Sequence, residues 1–189
     1  MPQINERFTV AQPVPEVWAF FQDVPQVADC MPGVEVTEVV GEGTFSGRMK
    51  VKLGPISADF HGEAKIAEID EQNRVGVISA RGADRQGGSR ASANVRYSLA
   101  EDVDGTRVEM IADITLQGSM AQFGRTGLMK EVSSQLTKEF ATCLEHKLAA
   151  LSPEEAVKVQ AGEVRGLSLF LRSFWSWIKR GFKGREDHS

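Results

Sequence analysis

The chain has 189 residues, 41% of them hydrophobic and 25% charged, the composition of a soluble globular domain of about 150 residues with an appendage. Its formal net charge of −4 hides two opposite parts: six Lys or Arg and two acidic residues lie after residue 163, giving +4, so the remaining 16 basic and 24 acidic residues leave −8 on the body. A body of that charge opposes phosphate and excludes nucleic acid as a partner, and MPQINERFTV has no basic segment followed by an apolar one, so no secretory signal is read and a cytoplasmic protein is expected.

The body opens with an alternating strand, Ile4 to Val10, then VPEVWAFFQD, where Val17, Phe20 and Phe21 recur at helical spacing. VPQVADCMPG reads as a second short helix stopped at Pro32-Gly33. Six strand-like runs follow: VEVTEVV, GTFSGRMKVKL, SADFHGEAKIAEID, RVGVISAR, SRASANVRYSLAE and GTRVEMIADITLQG. Gly54-Pro55, Glu71-Gln72-Asn73, Gly87-Gly88 and Asp104-Gly105 punctuate them as hairpin turns, so the middle of the chain is an antiparallel meander. From about Met120 to Leu151 the period changes, and Leu128, Val132, Leu136, Phe140, Cys143, Leu144 and Leu148 form one face of a long helix.

Alternation assigns the faces of the sheet. Met49, Val51 and Leu53 point one way and Arg48, Lys50 and Lys52 the other; Ala58, Phe60, Ala64 and Ile66 oppose Asp59, His61, Glu63 and Lys65. Ala91, Ala93, Val95, Tyr97 and Leu99, then Val108, Met110, Ala112, Ile114 and Leu116, continue the inward wall, which is apolar and rich in alanine. Cores pack to a density of about 0.74, so a wall this short of side-chain volume either holds a ligand or is filled by large residues from the helices. The candidate cavity residues are Phe21, Met49, Val51, Phe60, Ala64, Ala93, Val95, Tyr97, Met110, Ala112, Phe123, Leu128 and Val132. Gly118, Gly124 and Gly127 flank the start of the long helix and serve either an opening motion or turn geometry.

No catalytic or metal site is read. Asp59, His61, Glu63 and Asp113 face outward, and no Ser-His-Asp set, phosphate loop or metal-ligand spacing is present, so an enzyme acting alone is not expected. Cys30 and Cys143 are taken as small buried hydrophobes, Cys143 on the helical stripe and Cys30 beside the Pro-Gly turn, where a free thiol is the other reading.

Residues 152–165 form a linker whose Ser152-Pro153-Glu154-Glu155 resembles a capping box. In the tail, 166–185, a helical winding places Leu167, Phe170, Leu171, Phe174, Trp175, Trp177, Ile178 and Phe182 within an arc of roughly 160°, with Arg172, Lys179, Arg180 and Lys183 opposite. Arg172 and Lys179 interrupt it too often for a span of about 20 apolar residues. It reads as an interfacial membrane anchor, with Phe170, Leu171, Phe174, Trp175, Trp177, Ile178, Lys179, Arg180, Phe182 and Lys183 as the lipid-binding set, or else as a helix that packs on protein. The expected location is therefore peripheral, on the inner face of the cell membrane.

The order of strand, two small helices, six-stranded meander and long helix resembles the START/Bet v 1-like (SRPBCC) helix-grip fold, an α+β class with a curved antiparallel sheet around a C-terminal helix. Within it, residues 1–151 resemble the CoxG family of carbon monoxide dehydrogenase subunits through Met31-Pro32-Gly33, VKLGPISADFHGEAKIAEID at 51–70, GTRVEMIADITLQGSMAQFG at 105–124 and KEFATCLEHKL at 138–148. Val34 departs from the cysteine that many relatives carry after Pro-Gly, and Cys30 precedes the motif instead. The resemblance implies a membrane-associated accessory of a CO-dehydrogenase-type molybdenum hydroxylase. With the cavity of the fold, it implies carriage of a hydrophobic molecule, a respiratory quinone (menaquinone or ubiquinone), between bilayer and enzyme, the alternative being an anchor or assembly factor that carries none.

Overall fold

The structure is a computed structural model that describes residues 3–53, 56–84, 88–125 and 128–151. Its first strand, β1 (Gln3–Val10), alternates exposed and half-buried positions up to the buried Val10 and leads into two short helices, α1 (Val14–Gln22) and α2 (Val24–Cys30). Both carry proline in the first turn, where its missing N–H costs nothing. Asp23 ends α1 and starts α2, its carboxylate accepting the Gln26 backbone N–H at 3.2 Å.

Six further strands follow: β2 (Val34–Gly41), β3 (Thr44–Leu53), β4 (Ile56–Asp70), β5 (Val75–Asp84), β6 (Arg90–Asp102) and β7 (Gly105–Gln117). With β1 they form a seven-stranded antiparallel sheet in the order β1-β7-β6-β5-β4-β3-β2. A register shift between Ile66 and Glu68 bends β4 where it crosses β5. The sheet wraps one face around α3 (Leu128–Leu151), the curved sheet and C-terminal helix of the helix-grip fold.

The long helix begins later than its apolar period predicts. Gly118 sits at φ +73, with its Cα hydrogens turned toward the Gly88 carbonyl where a Cβ would lie 2.6 Å from the oxygen. Residues Gly118–Arg125 then wind as a 3₁₀ helix, tied to the β5–β6 connection by a 2.8 Å bond between the Ser89 and Ser119 hydroxyls. Gly118 therefore serves turn geometry; Gly127 lies outside the described residues.

Two apolar clusters hold α3 to the sheet. The larger gathers Val17, Trp18, Phe20 and Phe21 of α1, Tyr97, Leu99 and Val108 of the sheet, and Phe140, Leu144 and Leu148 of α3. The smaller joins Ala58, Phe60 and Met120, with Val51, Ala91, Leu116, Phe123 and Val132 against them. One expectation is corrected. Cys30 is buried at 4% exposure, but it is not a lone small hydrophobe: it forms a disulfide with Cys143 across a Cα–Cα distance of 5.4 Å. The helical stripe that turns Cys143 inward also aims it at the last residue of α2.

The chain divides into two units, 1–149 and 150–189, and the first holds all but the last two residues of these elements. The linker and the expected membrane-binding residues, Phe170 to Lys183 among them, lie outside the described residues. Among the described residues no helix is long and apolar enough to cross a membrane.

Candidate functional site

The inner wall is built by register. Ala64 of β4 lies opposite Ala80 of β5, and Ala80 opposite Ala93 of β6; the neighbouring row is Gly62, Gly82 and Ala91. With strands about 4.8 Å apart and same-face residues about 6.7 Å apart, these six small residues make a floor of roughly 10 by 7 Å with almost no side-chain height. Gly62 is a steric necessity, since a Cβ there would clash with the Arg81 carbonyl and Gly82 Cα, whereas a Cβ on Gly82 would meet Phe60 Cβ at 3.3 Å, a tight contact only.

The expected cavity residues fall into three groups around that floor. Phe21 and Tyr97 belong to the larger cluster, with Met110 packed on it; their rings stack at 4.9 Å, and Tyr97 is 2% exposed. Phe60 is buried in the smaller cluster, against which Val51, Phe123 and Val132 pack. Met49, Ala64, Ala93, Val95 and Ala112 are half-buried and belong to neither cluster. The side chain of Leu128 lies outside the described set. Both ends of the interior are thus closed by packed side chains, while the alanine floor between them keeps solvent-accessible apolar surface.

Three inward polar groups stand near this wall. The Tyr97 phenol oxygen accepts from the Gln22 side-chain amide, and burial, the larger influence, pushes its pKa above the usual value while that bond draws it down. Its ring occupies the space above Gly76, where a Cβ would meet the phenol carbon and oxygen at 2.3 Å. Glu6 faces inward from the edge strand and accepts a 2.9 Å hydrogen bond from Ser133 of α3. Asp84, buried at 8%, ends β5 opposite Phe60. Sequence reading missed Glu6 and Asp84, whose alternation within β1 and β5 is the signal that places them inside. Among the described residues no group of three or more His, Cys, Asp or Glu could hold a metal ion.

The outer face carries a second concavity. A hollow of about 660 Å³ is lined by side chains of β3 to β7, with Arg81, Arg90, His61 and Glu63 the titratable ones and Gly62 and Gly82 at its floor. Arg81 and Glu63 are ion-paired at 3.1 Å, and His61 lies 3.5 Å from Asp59.

Comparison with known proteins gives the sheet and helix a lineage. Residues 7–149 match the family described as the CoxG subunit of carbon monoxide dehydrogenase. No curated protein matches the chain. A conserved protein from Geobacillus kaustophilus superposes with a TM-score of 0.69 at 17% identity, covering 79% of this chain and 96% of that one. The Zhui aromatase/cyclase from Streptomyces sp. R1128 does so at 0.54 and 17%, over 85% and 98%. Ara h 8.0201 gives 0.53 and 13%, over 79% and 98%. At these identities the likeness is one of fold.

Proposed function

Because the chain belongs to the CoxG family of carbon monoxide dehydrogenase subunits, we propose that it is a membrane-associated accessory of a CO-dehydrogenase-type molybdenum hydroxylase, carrying a respiratory quinone between bilayer and enzyme. The observation that carries this reading is the floor of Ala64, Ala80 and Ala93 with Gly62 and Gly82, half-buried and in neither filled cluster. An isoprenoid chain lying on it exchanges bilayer hydrocarbon for protein hydrocarbon, a transfer with little free-energy cost in either direction. Delivery therefore depends on access more than on affinity.

Access fits the way α3 is held. Its C-terminal half is fixed by Phe140, Leu144, Leu148 and the disulfide. Its N-terminal half rests on Val132 and on the Ser133–Glu6 bond, after a 3₁₀ segment. In this reading the N-terminal half yields, and the basic aromatic tail keeps the mouth near the lipid. Each tail Lys or Arg adds about 1 kcal/mol at an anionic surface.

The alternative, an anchor that recruits the oxidoreductase without a ligand, draws support from the two clusters that close both ends of the interior. Liposome co-sedimentation of the full chain and of a chain ending at Leu151, with mass spectrometry of organic-solvent extracts, separates the two. A carrier binds liposomes through its tail and releases quinone into the solvent. An anchor binds and releases nothing, and a full chain that fails to bind refutes both.

A further inference from the structure

The register of the outer face assembles residues that are far apart in sequence. One outward row runs Ser46, Glu63, Arg81, Ser92 and Thr115 across β3 to β7. Beside it, His61, Ala83, Arg90 and Gln117 form a second row on β4 to β7. Five adjacent strands at about 4.8 Å spacing extend these rows over roughly 19 Å. Apart from Ala83, every member can hydrogen-bond.

The patch is locally basic on an acidic body. The body carries −8, yet the two rows hold Arg81 and Arg90 against one carboxylate, Glu63. Arg90 has no ion-pair partner among the described residues. The Arg81–Glu63 pair is exposed, 81% and 45% by side chain, so an incoming carboxylate displaces Glu63 at small cost. Arginine forks match carboxylates in a bidentate geometry, and the flanking hydroxyls and amide supply further bonds.

The shape distinguishes between occupants. At about 660 Å³ the hollow has the volume of a small-molecule site. Its charged walls, however, stand in water, where a single small anion keeps most of its hydration and gains little. An extended chain bearing several carboxylates collects many such contacts at once. Acidic residues elsewhere on the body repel the same chain and so fix where it lands.

From this geometry we infer that the outer face of β3 to β7 is a docking surface for an acidic, extended segment of a partner protein, with Arg90 and Arg81 as its anchoring cations. The inference rests on the accessory role for the existence of a partner, and on the register and charge for the location of the surface.

The test is an NMR titration of the ¹⁵N-labelled full chain with hexaglutamate peptide at low salt. Amides of Ser92, Thr115 and Gln117 shift and saturate. Arg90→Glu weakens that binding at least about tenfold, as removal of a central interfacial charge does, and Arg7→Glu, the same reversal on an exposed part of β1, leaves it unchanged. Arg90→Gln serves as the neutral variant should the reversal lower the melting temperature, and it also weakens binding. Shifts confined to the basic tail, or wild-type affinity in Arg90→Gln, would overturn the inference. So would equal shifts from free glutamate at the same carboxylate concentration, which would make the hollow a small-anion site. No hydrophobic ligand enters this titration, so a flat result removes the docking surface and leaves the carrier proposal standing, whereas empty solvent extracts do the reverse.

Discussion

Replacing Ala93 with leucine decides whether the space above the alanine floor is open. Ala93 lies between Ala80 and Ile114 on the inward face and is half-buried. Leucine adds three carbons, about 2.4 kcal/mol if each buries fully at about 0.8 kcal/mol per CH₂. At a half-buried position roughly half is realised, so Ala93→Leu stabilises the ligand-free protein by about 1 kcal/mol. Were the space already packed, the same carbons would cost about 1–3 kcal/mol through strain. The paired control is Ala58→Leu, inside the smaller cluster at 6% exposure, which destabilises by that amount. Urea unfolding of refolded, ligand-free full chain reads both. With a slope of about 2 kcal/mol/M, Ala93→Leu raises the midpoint by about 0.5 M at unchanged slope. Quinone recovered from protein purified out of cells falls in the same variant. Equal destabilisation by the two substitutions would refute the open floor, and with it the physical basis for a carried ligand.

Reducing the Cys30–Cys143 disulfide opens a loop with a sequence separation of 113, which the chain-entropy account values at about 4.8 kcal/mol as an upper figure. The urea midpoint therefore drops in dithiothreitol, and the Cys30→Ser/Cys143→Ser double variant shows the lower midpoint with or without reductant. Gly76→Ala places a Cβ against the Tyr97 phenol and destabilises by about 1–3 kcal/mol, a penalty largely absent in a Tyr97→Leu background when the four proteins are compared as a cycle. Tyr97 is the single tyrosine of the chain, so absorbance at 295 nm follows it alone. Because burial raises its pKa, phenolate forms in the folded protein only above the usual value of 10.0. The unfolded chain ionises first, so this contribution to stability is complete below about pH 10 and is lost as pH rises through the folded pKa. Titration of the folded protein at or below 10.0 would contradict the burial of the ring.

Much of this fold is legible as period. Alternation in β4 places Phe60 inside and His61 outside, and the structure agrees because a one-residue slip would exchange them wholesale. The shift from two-residue to helical period locates α3, yet not its first turn, since apolar spacing continues through Met120 and Phe123 while Gly118 and the Ser89–Ser119 bond hold that segment as a 3₁₀ helix. The disulfide left no trace in the sequence. Two cysteines a hundred residues apart become neighbours only through the packing of α2 on α3, and a cytoplasmic reading argues against pairing them. The outer rows were equally hidden. Arg81, Ser92 and Thr115 each read as one solvated position, and only the β5–β6 and β6–β7 registers bring them together. Whether the inner wall stays open was likewise beyond the sequence, because alanine content fixes the height of the floor but not the position of the helix above it.

Under the carrier reading, the disposition of α3 reconciles a stable protein with an accessible interior. Cores transmit strain because they are close-packed, so a helix held along its whole length could move only by unfolding the domain. Here the grip is unequal. Phe140, Leu144 and Leu148 are each at most 4% exposed, and Lys147 adds a 3.3 Å contact to Asp29 beside the disulfide. At the other end Val132, Ser133 and Leu136 are only half-buried, with Val132 against the smaller cluster and Ser133 bonded to Glu6. Under the carrier reading, small side chains on the sheet would do two things at once: leave volume for a guest, and reduce the contacts that lock the helix above it. In that reading the disulfide confines the consequence to one half of α3, so that a guest would enter without loosening the cluster around Tyr97.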